Sequence, residues 1–576
     1  MLAHFLKGSK KYFVLAVFFT CGLSFIELIN PKVIGITIDG LLNDPEYYKG
    51  LLPYIALFVV GVALLGALFR YMFGLMNSKG AEKLTKNMRN ELYEHIEYLP
   101  YSWHGENKTG DIIQRCTSDV DTIKKFLSED LTTLLRTIVM IVFALIFMFN
   151  ISVPMAFVSL AFIPVVVGYS LIFHKQIGEA FFKIDTEEGV LSTIAQENLT
   201  GVRVVRAFGR EAYERERFMS QNEKYTGMWV NMMKILSRFW STVDLISGLQ
   251  IVTVLSVGSY FCVCRGLSAG SFVSFVSYNA MLSWPVRNLG RVIADMSKAG
   301  ISIDRIRYIM ESEPEKDIEG VLPFPQNKDI DFENVSYSFG DDEALVLKNI
   351  NLHIKEGSTL GILGKTGSGK STLAQLLLRL YELPPENGTI KIGGEDIRNL
   401  KKDDIRENIG LVLQEPYLYS RTLGENIAMA LPLEMDEKVK EGRVKEAISV
   451  SCLEGTIDKF TEGLDTKVGE RGVTLSGGQK QRTAIAACVA RHTPVLIFDD
   501  SMSAVDLKTD EKIRHAIKDN KNDTTVILIS HRINTLMLAD NIIVLDNGRI
   551  IEQGSHEELV KKKGFYSKIY ELQNAT

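Results

Sequence analysis

Residues 364–371 read Gly364-Lys365-Thr366-Gly367-Ser368-Gly369-Lys370-Ser371, which satisfies G-x-x-x-x-G-K-[ST]. This pattern is a device for holding phosphate. Its glycines let backbone N–H groups converge on a β-phosphate, and the start of the following helix, from Thr372, adds positive potential. Lys370 reaches the β- and γ-phosphates, and the Ser371 hydroxyl is a ligand for Mg²⁺. The flanks suit a phosphate cradle, since apolar Thr359-Leu360-Gly361-Ile362-Leu363 predicts a strand and Thr372-Leu373-Ala374-Gln375-Leu376-Leu377-Leu378 predicts a helix. A second run, Val495-Leu496-Ile497-Phe498-Asp499-Asp500, reads as a buried strand that delivers two carboxylates to a nucleotide site.

Three further segments accompany these: Leu411-Val412-Leu413-Gln414-Glu415-Pro416, Leu475-Ser476-Gly477-Gly478-Gln479 and Leu528-Ile529-Ser530-His531-Arg532. Taken singly, Gln414 or His531 would be an ordinary polar side chain satisfied structurally. In this order, over roughly residues 327–572, the five motifs resemble the nucleotide-binding domain of ABC transporters. The resemblance implies ATP and Mg²⁺, with Ser371 and Gln414 holding the metal, Asp499 reaching it through water and His531 contacting the γ-phosphate. It implies that Ser476, Gly477, Gly478 and Gln479 serve an ATP held by a different nucleotide-binding domain. Phe339 stands where the family stacks an aromatic on adenine, with Tyr337 as the alternative register. Ser503-Ala504-Val505-Asp506 matches the loop that passes between the two sites, and Thr466-Lys467-Val468-Gly469-Glu470-Arg471-Gly472 resembles the exporter segment that touches the membrane domain.

Position 500 departs from the pattern. There the family's catalytic residue is a glutamate that orients the attacking water, whereas this chain has an aspartate. The missing methylene withdraws the carboxylate by about one carbon–carbon bond, and misplacement of ~1 Å costs ~10²-fold in rate. ATP is expected to bind and to turn over slowly. The expectation that follows is a heterodimer whose partner carries the glutamate, with the intact Leu475–Gln479 segment completing the partner's site. Ala487 is a second departure, since many relatives have arginine there.

The elements that position this chemistry fall into two unlike halves. With 46% hydrophobic and 23% charged residues and a net charge of −5, the whole-chain values fit neither a soluble enzyme nor a simple membrane bundle. The front half explains the average. Windows at Tyr12–Ile29, Leu51–Phe69, Leu131–Phe149, Val153–Phe173 and Leu245–Cys264 are nearly free of charge, and helices of ~20 such residues cross ~30 Å of hydrocarbon. A sixth, Ser268–Val286, carries Ser271, Ser274, Ser277, Asn279 and Ser283, as a helix facing a solvated pathway can. The expected fold is an α-helical transmembrane domain over 1–318, with spans at 12–38, 51–75, 129–149, 153–174, 243–264 and 268–290. A linker follows at 319–326, centred near Val321 after the Ser312-Glu313-Pro314-Glu315 stop. An α/β P-loop ABC ATPase domain then occupies 327–576.

Connections after the second and fourth spans are long, rich in Lys and Arg, and periodic in apolar residues such as Ile112, Val120, Ile123 and Leu127. This predicts helical extensions on the cytoplasmic side. Segments Trp103–Asp111 and Glu197–Arg206 resemble the loop tips of type I ABC exporters, where short coupling helices dock on the nucleotide-binding domains. The N-terminal residues read as a short amphipathic elbow without the cleavage site of a signal peptide. Six cysteines form no metal or disulfide framework and suit a reducing compartment. Glu27, inside the first span, must face a cavity, find a partner or be protonated. A place in the pathway, favouring cationic or amphipathic cargo, is one expectation; a structural pair is the other.

The functional expectation is ATP-driven export of drugs or lipids across the cytoplasmic membrane by one half of a heterodimer. Peptide export, lipid flipping and import on the exporter fold share the same motifs, and a regulatory membrane ATP sensor is a different class. Nucleic acid is not an expected partner, because the charge balance is mildly acidic and the basic clusters are accounted for by the membrane surface.

Overall fold

A computed structural model describes residues 2–317, 322–340, 344–469, 472–520 and 524–574. Val321, Glu470 and Arg471, singled out above, lie outside the described residues. The chain forms two compact units, one made of Met1–Leu99 with Asn107–Pro314, the other of Pro100–Glu106 with Glu315–Thr576.

The first unit is built on long helices: Lys10–Asn43, Pro45–Glu97, Leu131–Ile151, Val153–Thr200, Glu211–Arg265 and Ala269–Glu311. Local chemistry sets their ends. Asp44 caps the second by accepting from Tyr47 N at 3.3 Å, with Pro45 at its first position, where the missing N–H costs nothing. Gly266, at φ +70°, ends the helix Glu211–Arg265 in the left-handed region. The helices Pro45–Glu97, Val153–Thr200 and Glu211–Arg265 run well past their apolar windows. The stretch 76–97 alone adds about 30 Å at 1.5 Å per residue.

Five helical stretches, including Thr109–Ile151, are long and apolar enough to cross a membrane; Ala269–Glu311 is long but is not in that set. Two of its polar residues, Ser274 and Asn279, bond to neighbouring helices. Ser274 donates to Pro31 O at 2.8 Å, and buried Asn279 receives Gln250 Nε2 at 2.8 Å and Ser159 Oγ. These are inter-helix bonds of the kind that hold helices together where no water competes. Close approach of the first and sixth helices requires Gly270, since a Cβ there would meet Gly35 O at 1.9 Å. Asp39 fastens the same contact by accepting from Gly270 N at 2.7 Å and Ser268 Oγ at 2.6 Å.

Glu27 is paired. It accepts from Arg136 Nη2 at 3.0 and 2.9 Å and from Arg70 Nη2 at 3.1 Å. Of the two expectations for Glu27, the structural pair is the one these contacts match. Asp244, beside the fifth span, pairs with Arg287 at 2.6 Å.

The second unit contains two sheets. An antiparallel one has the order β2-β1-β4-β5, from β1 (Ile330–Tyr337), β2 (Leu347–Ile354), β4 (Thr389–Ile392) and β5 (Glu395–Asp396). The larger has the order β10-β9-β3-β8-β7-β6, from β3 (Thr359–Gly364), β6 (Ile409–Val412), β7 (Val495–Asp499), β8 (Thr525–Ser530), β9 (Asn541–Asp546) and β10 (Arg549–Gly554). Strands β9, β3, β8, β7 and β6 pair in parallel, so their carboxyl ends share one edge. Every residue of β7 and β8 is buried, as continuous apolar runs in a sheet covered on both faces require.

Candidate nucleotide site

Ligand clefts of open parallel sheets form beyond the carboxyl ends of the strands. Here β3 ends at Gly364, β7 at Asp499 and β8 at Ser530, with Leu363 opposite Ser530 and Asp499 opposite Ile529. That register brings the glycine loop, both aspartates and His531 to one place. A cleft of about 920 Å³ is lined by Phe339, Val346, Gly364, Lys365, Thr366, Gly367, Gly369, Lys370, Ser371, Thr372, Gln414, Asp499, Asp500 and His531.

The loop requires its glycines. Gly367 and Gly369 have φ of +80° and +98°, and a Cβ on Gly364 would stand 2.4 Å from Leu545 O. Lys370 Nζ crosses the loop and donates to Gly364 O and Lys365 O, each at 2.8 Å. Burial lowers the Lys370 pKa, opposed by Asp499 and Asp500. Ser368 Oγ is buried with no protein partner. Such an orphan inside a loop of converging N–H groups fits a site built for a polyanion.

Asp499 is pushed above its usual carboxylate range by burial, and Asp500 adds to this against the Ser371 hydrogen bond and Lys370. Ser371, Gln414 and Asp499 form an all-oxygen donor set on the cleft, the hard chemistry that suits Mg²⁺.

Asp500 has a positive φ of 46°, which aspartate tolerates better than most residues. Its N–H donates to Ile529 O at 2.8 Å, extending the β7–β8 ladder by one step. Its Oδ2 lies 2.9 Å from His531 Nδ1, while Oδ1 is buried with no protein partner. Asp500 and His531 therefore hold each other.

Phe339 is half-exposed on the cleft, whereas Tyr337 is buried and does not line it. Behind Phe339 stands Tyr381, ring edge to face at 5.1 Å, and Tyr381 in turn meets Tyr101 of the helix Tyr101–Glu106 at 5.5 Å. Sequence reading missed Tyr381, which belongs to no motif; only the fold sets it between Phe339 and Tyr101.

Ser476, Gly477, Gly478 and Gln479 are not part of this cleft. They start the helix Gly477–Ala490, where Ser476 N donates to Gln479 Oε1 at 2.8 Å and Gln479 N donates back to Ser476 Oγ at 3.4 Å. This reciprocal capping box presents an exposed helix start. Ala487 sits within that helix, and nothing in the structure explains the residue there.

A P-loop sheet joined to long apolar helices defines a membrane-bound ATPase. The family model described as "ABC transporter transmembrane region" matches residues 13–286, and that described as "ABC transporter" matches residues 347–503. The chain is 34% identical over 571 residues to the uncharacterized ABC transporter ATP-binding protein YknU of Bacillus subtilis, covering 98% of this chain and 95% of that one. It is 33% identical to an ATP-dependent lipid A-core flippase of Haemophilus influenzae, covering 91% and 88%. It is 33% identical to the probable multidrug resistance ABC transporter ATP-binding/permease protein YheI of B. subtilis, covering 99% and 97%. A solved structure of a bacterial Atm1-family ABC exporter with ATP bound superposes with TM-score 0.84 at 25% identity, covering 98% of this chain and 99% of that one. The chain belongs to the ABC transporter family and has the exporter fold. It is a multi-pass membrane protein with a cytoplasmic ATPase domain.

Proposed function

We propose that this chain exports amphipathic compounds, drugs or lipids, across the cytoplasmic membrane as one half of a heterodimer whose partner supplies the fast hydrolytic site. In this reading the six long helices hold its spans. Relatives whose names describe multidrug resistance and lipid flipping support the cargo class. The slow site rests on one observation: the short Asp500 carboxylate is tied to His531 at 2.9 Å.

In this reading Gly364–Thr372 cradle the phosphates, Lys370 supplies their countercharge and Phe339 stacks on the base. Ser371 and Gln414 hold Mg²⁺ with Asp499 behind them; the ion, when bound, neutralises phosphate charge. Asp500 is the carboxylate that would orient water, and His531 is the γ-phosphate contact. In a neutral ring, donation from Nδ1 to Asp500 leaves Nε2 without a proton, so contacting phosphate as a donor takes the imidazolium. A partner is supported by two exposed surfaces. One is the helix start at Ser476–Gln479, which serves the partner's ATP. The other is the tip at the end of Val153–Thr200 and beyond it, where Leu199 and Phe208 are 78% and 77% exposed. Isolated, such rings and aliphatic side chains waste apolar area, and docking on the partner's ATPase covers them.

The test is ATP-dependent uptake of a dye panel into inside-out vesicles holding both halves, with the partner's glutamate replaced as control. Uptake that the replacement abolishes supports export. If ATP binds but no dye moves under any condition, a regulatory ATP sensor is the better reading.

A further inference from the structure

One side-chain cluster of the membrane unit carries an unbalanced charge. Glu27, Arg70 and Arg136 come from three different apolar helical stretches, Lys10–Asn43, Pro45–Glu97 and Thr109–Ile151. One carboxylate thus answers two guanidiniums, at 2.9 to 3.1 Å. Lys32, one turn and a half further along the first helix, adds a third cation, lying 5.4 Å from the Phe147 ring centre. Among the described residues no second carboxylate pairs with any of these cations. Glu129 and Asp130 lie lower on the third stretch, where Asp130 is buried and feels Asp295, Lys125 and Arg291 instead.

Ionised groups inside a bilayer are costly and are normally paired to neutrality. A surplus cation that the chain does not neutralise marks a place for an anion from outside the chain. Arg70 is able to receive one, because its side chain is 70% exposed and uses a single contact of its five-donor fork on Glu27. Beside the charges runs an aromatic strip. Arg136, Phe143 and Phe147 follow at i, i+7 and i+11, one face of a helix. Phe25 packs on both rings, at 5.6 and 6.4 Å. Guanidinium at one end and aromatic surface along the other is the complement of an amphiphile with an anionic head.

We infer that Arg70 and Arg136, set by Glu27, bind the phosphate or carboxylate head of an anionic amphiphile whose tail lies along Phe25, Phe143 and Phe147. This deepens the export reading by naming the charge of the cargo, the opposite of what Glu27 alone suggested. It rests on that reading only for the word cargo.

The experiment measures binding without ATP, so its outcome is independent of transport. The purified full chain in a neutral detergent is titrated with fluorescent dansylamino-undecanoate, with its methyl ester, and with a dansyl alkyl-trimethylammonium of equal chain length. The carboxylate is expected to bind tightest, and Arg70→Gln to weaken it by about tenfold while leaving the ester unchanged. Because Arg70 is exposed, this variant keeps the fold. The double variant Glu27→Gln/Arg136→Gln removes one charge of each sign and half of the proposed head site, and is expected to weaken the carboxylate while leaving the ester unchanged. Equal binding of ester and carboxylate, tighter binding of the trimethylammonium, or an Arg70→Gln change below about twofold overturns the proposal. A second arm assigns the source of the anion. ATP-driven uptake of the carboxylate makes it cargo; binding that phosphatidylglycerol displaces, without uptake, makes the site one for a resident lipid headgroup, and both outcomes uphold anion recognition.

Discussion

Asp500 Oδ2 and His531 Nδ1 lie 2.9 Å apart, so the two side chains expected to act on the γ-phosphate and its attacking water are bonded to each other. The contact arises from topology. Asp500 follows β7, His531 follows β8, and the parallel register places the ends of these neighbouring strands side by side. Both side chains line the cleft.

Coupling between these two positions is the first consequence. His531→Ala is expected to lower the ATP turnover of this chain by less than about threefold, but to lower that of Asp500→Glu by about 10²-fold, a non-additivity that a double-mutant cycle reads directly. Additive effects would mean that the pair does not restrain the site.

Nucleotide affinity should depend on the aromatic row. Phe339→Ala removes the stacking surface and is expected to weaken ATP about tenfold or more, since base–aromatic stacking contributes ~1–3 kcal/mol. Tyr381→Ala acts only by letting Phe339 shift, so a smaller loss of about two- to fourfold is expected, rescued by Tyr381→Phe. Equilibrium binding of a fluorescent ATP analogue checks both.

The exposed helix start at Ser476 gives a separable effect. In the proposed heterodimer, Gly477→Asp is expected to leave ATP binding by this chain within about twofold and to reduce steady-state hydrolysis about 10²-fold, because it would place a charge against the partner's phosphate. ATP binding to each half and turnover of the complex, measured on one preparation, separate the two.

The start of the ATPase unit carries a pH-dependent tie. Glu315 receives Arg406 through two bonds of 2.7 Å, with Lys402 at 3.4 Å. Burial alone would raise its pKa, yet Arg406 and Lys402 bring it below the usual 4.5. A depressed folded pKa stabilises above the unfolded value and is lost as pH falls through the folded one. Glu315→Gln is therefore expected to destabilise the chain by about 2 kcal/mol at neutral pH. Thermal melts of both proteins should draw together as pH falls below the usual 4.5 and on through the lowered Glu315 pKa.

What could be read from the chain in advance divides along a physical line. Phosphate chemistry forces glycines, a lysine and a hydroxyl into eight consecutive positions, so residues 364–371 announce themselves, and the cleft brings them together with Gln414, Asp499, Asp500 and His531. Contacts between distant segments leave no such trace. Tyr381 belongs to no motif, and Arg70 and Arg136 sit in separate apolar stretches whose only link to Glu27 is three-dimensional. Ser274 and Asn279 looked like the polar face of a pathway because polar side chains in a hydrophobic helix have two uses, solvation and inter-helix bonding. Only the neighbours Pro31, Ser159 and Gln250 decide for the second.

The central claim is that position 500 makes this chain's site slow, and the direct measurement is ATP turnover by the purified chain alone against Asp500→Glu, with Asp500→Asn as the floor. The account predicts slow turnover for the natural chain, near the asparagine variant, and a rise of at least about tenfold with glutamate. Robust hydrolysis by the natural chain as a homodimer, with glutamate raising it less than about twofold, would contradict it.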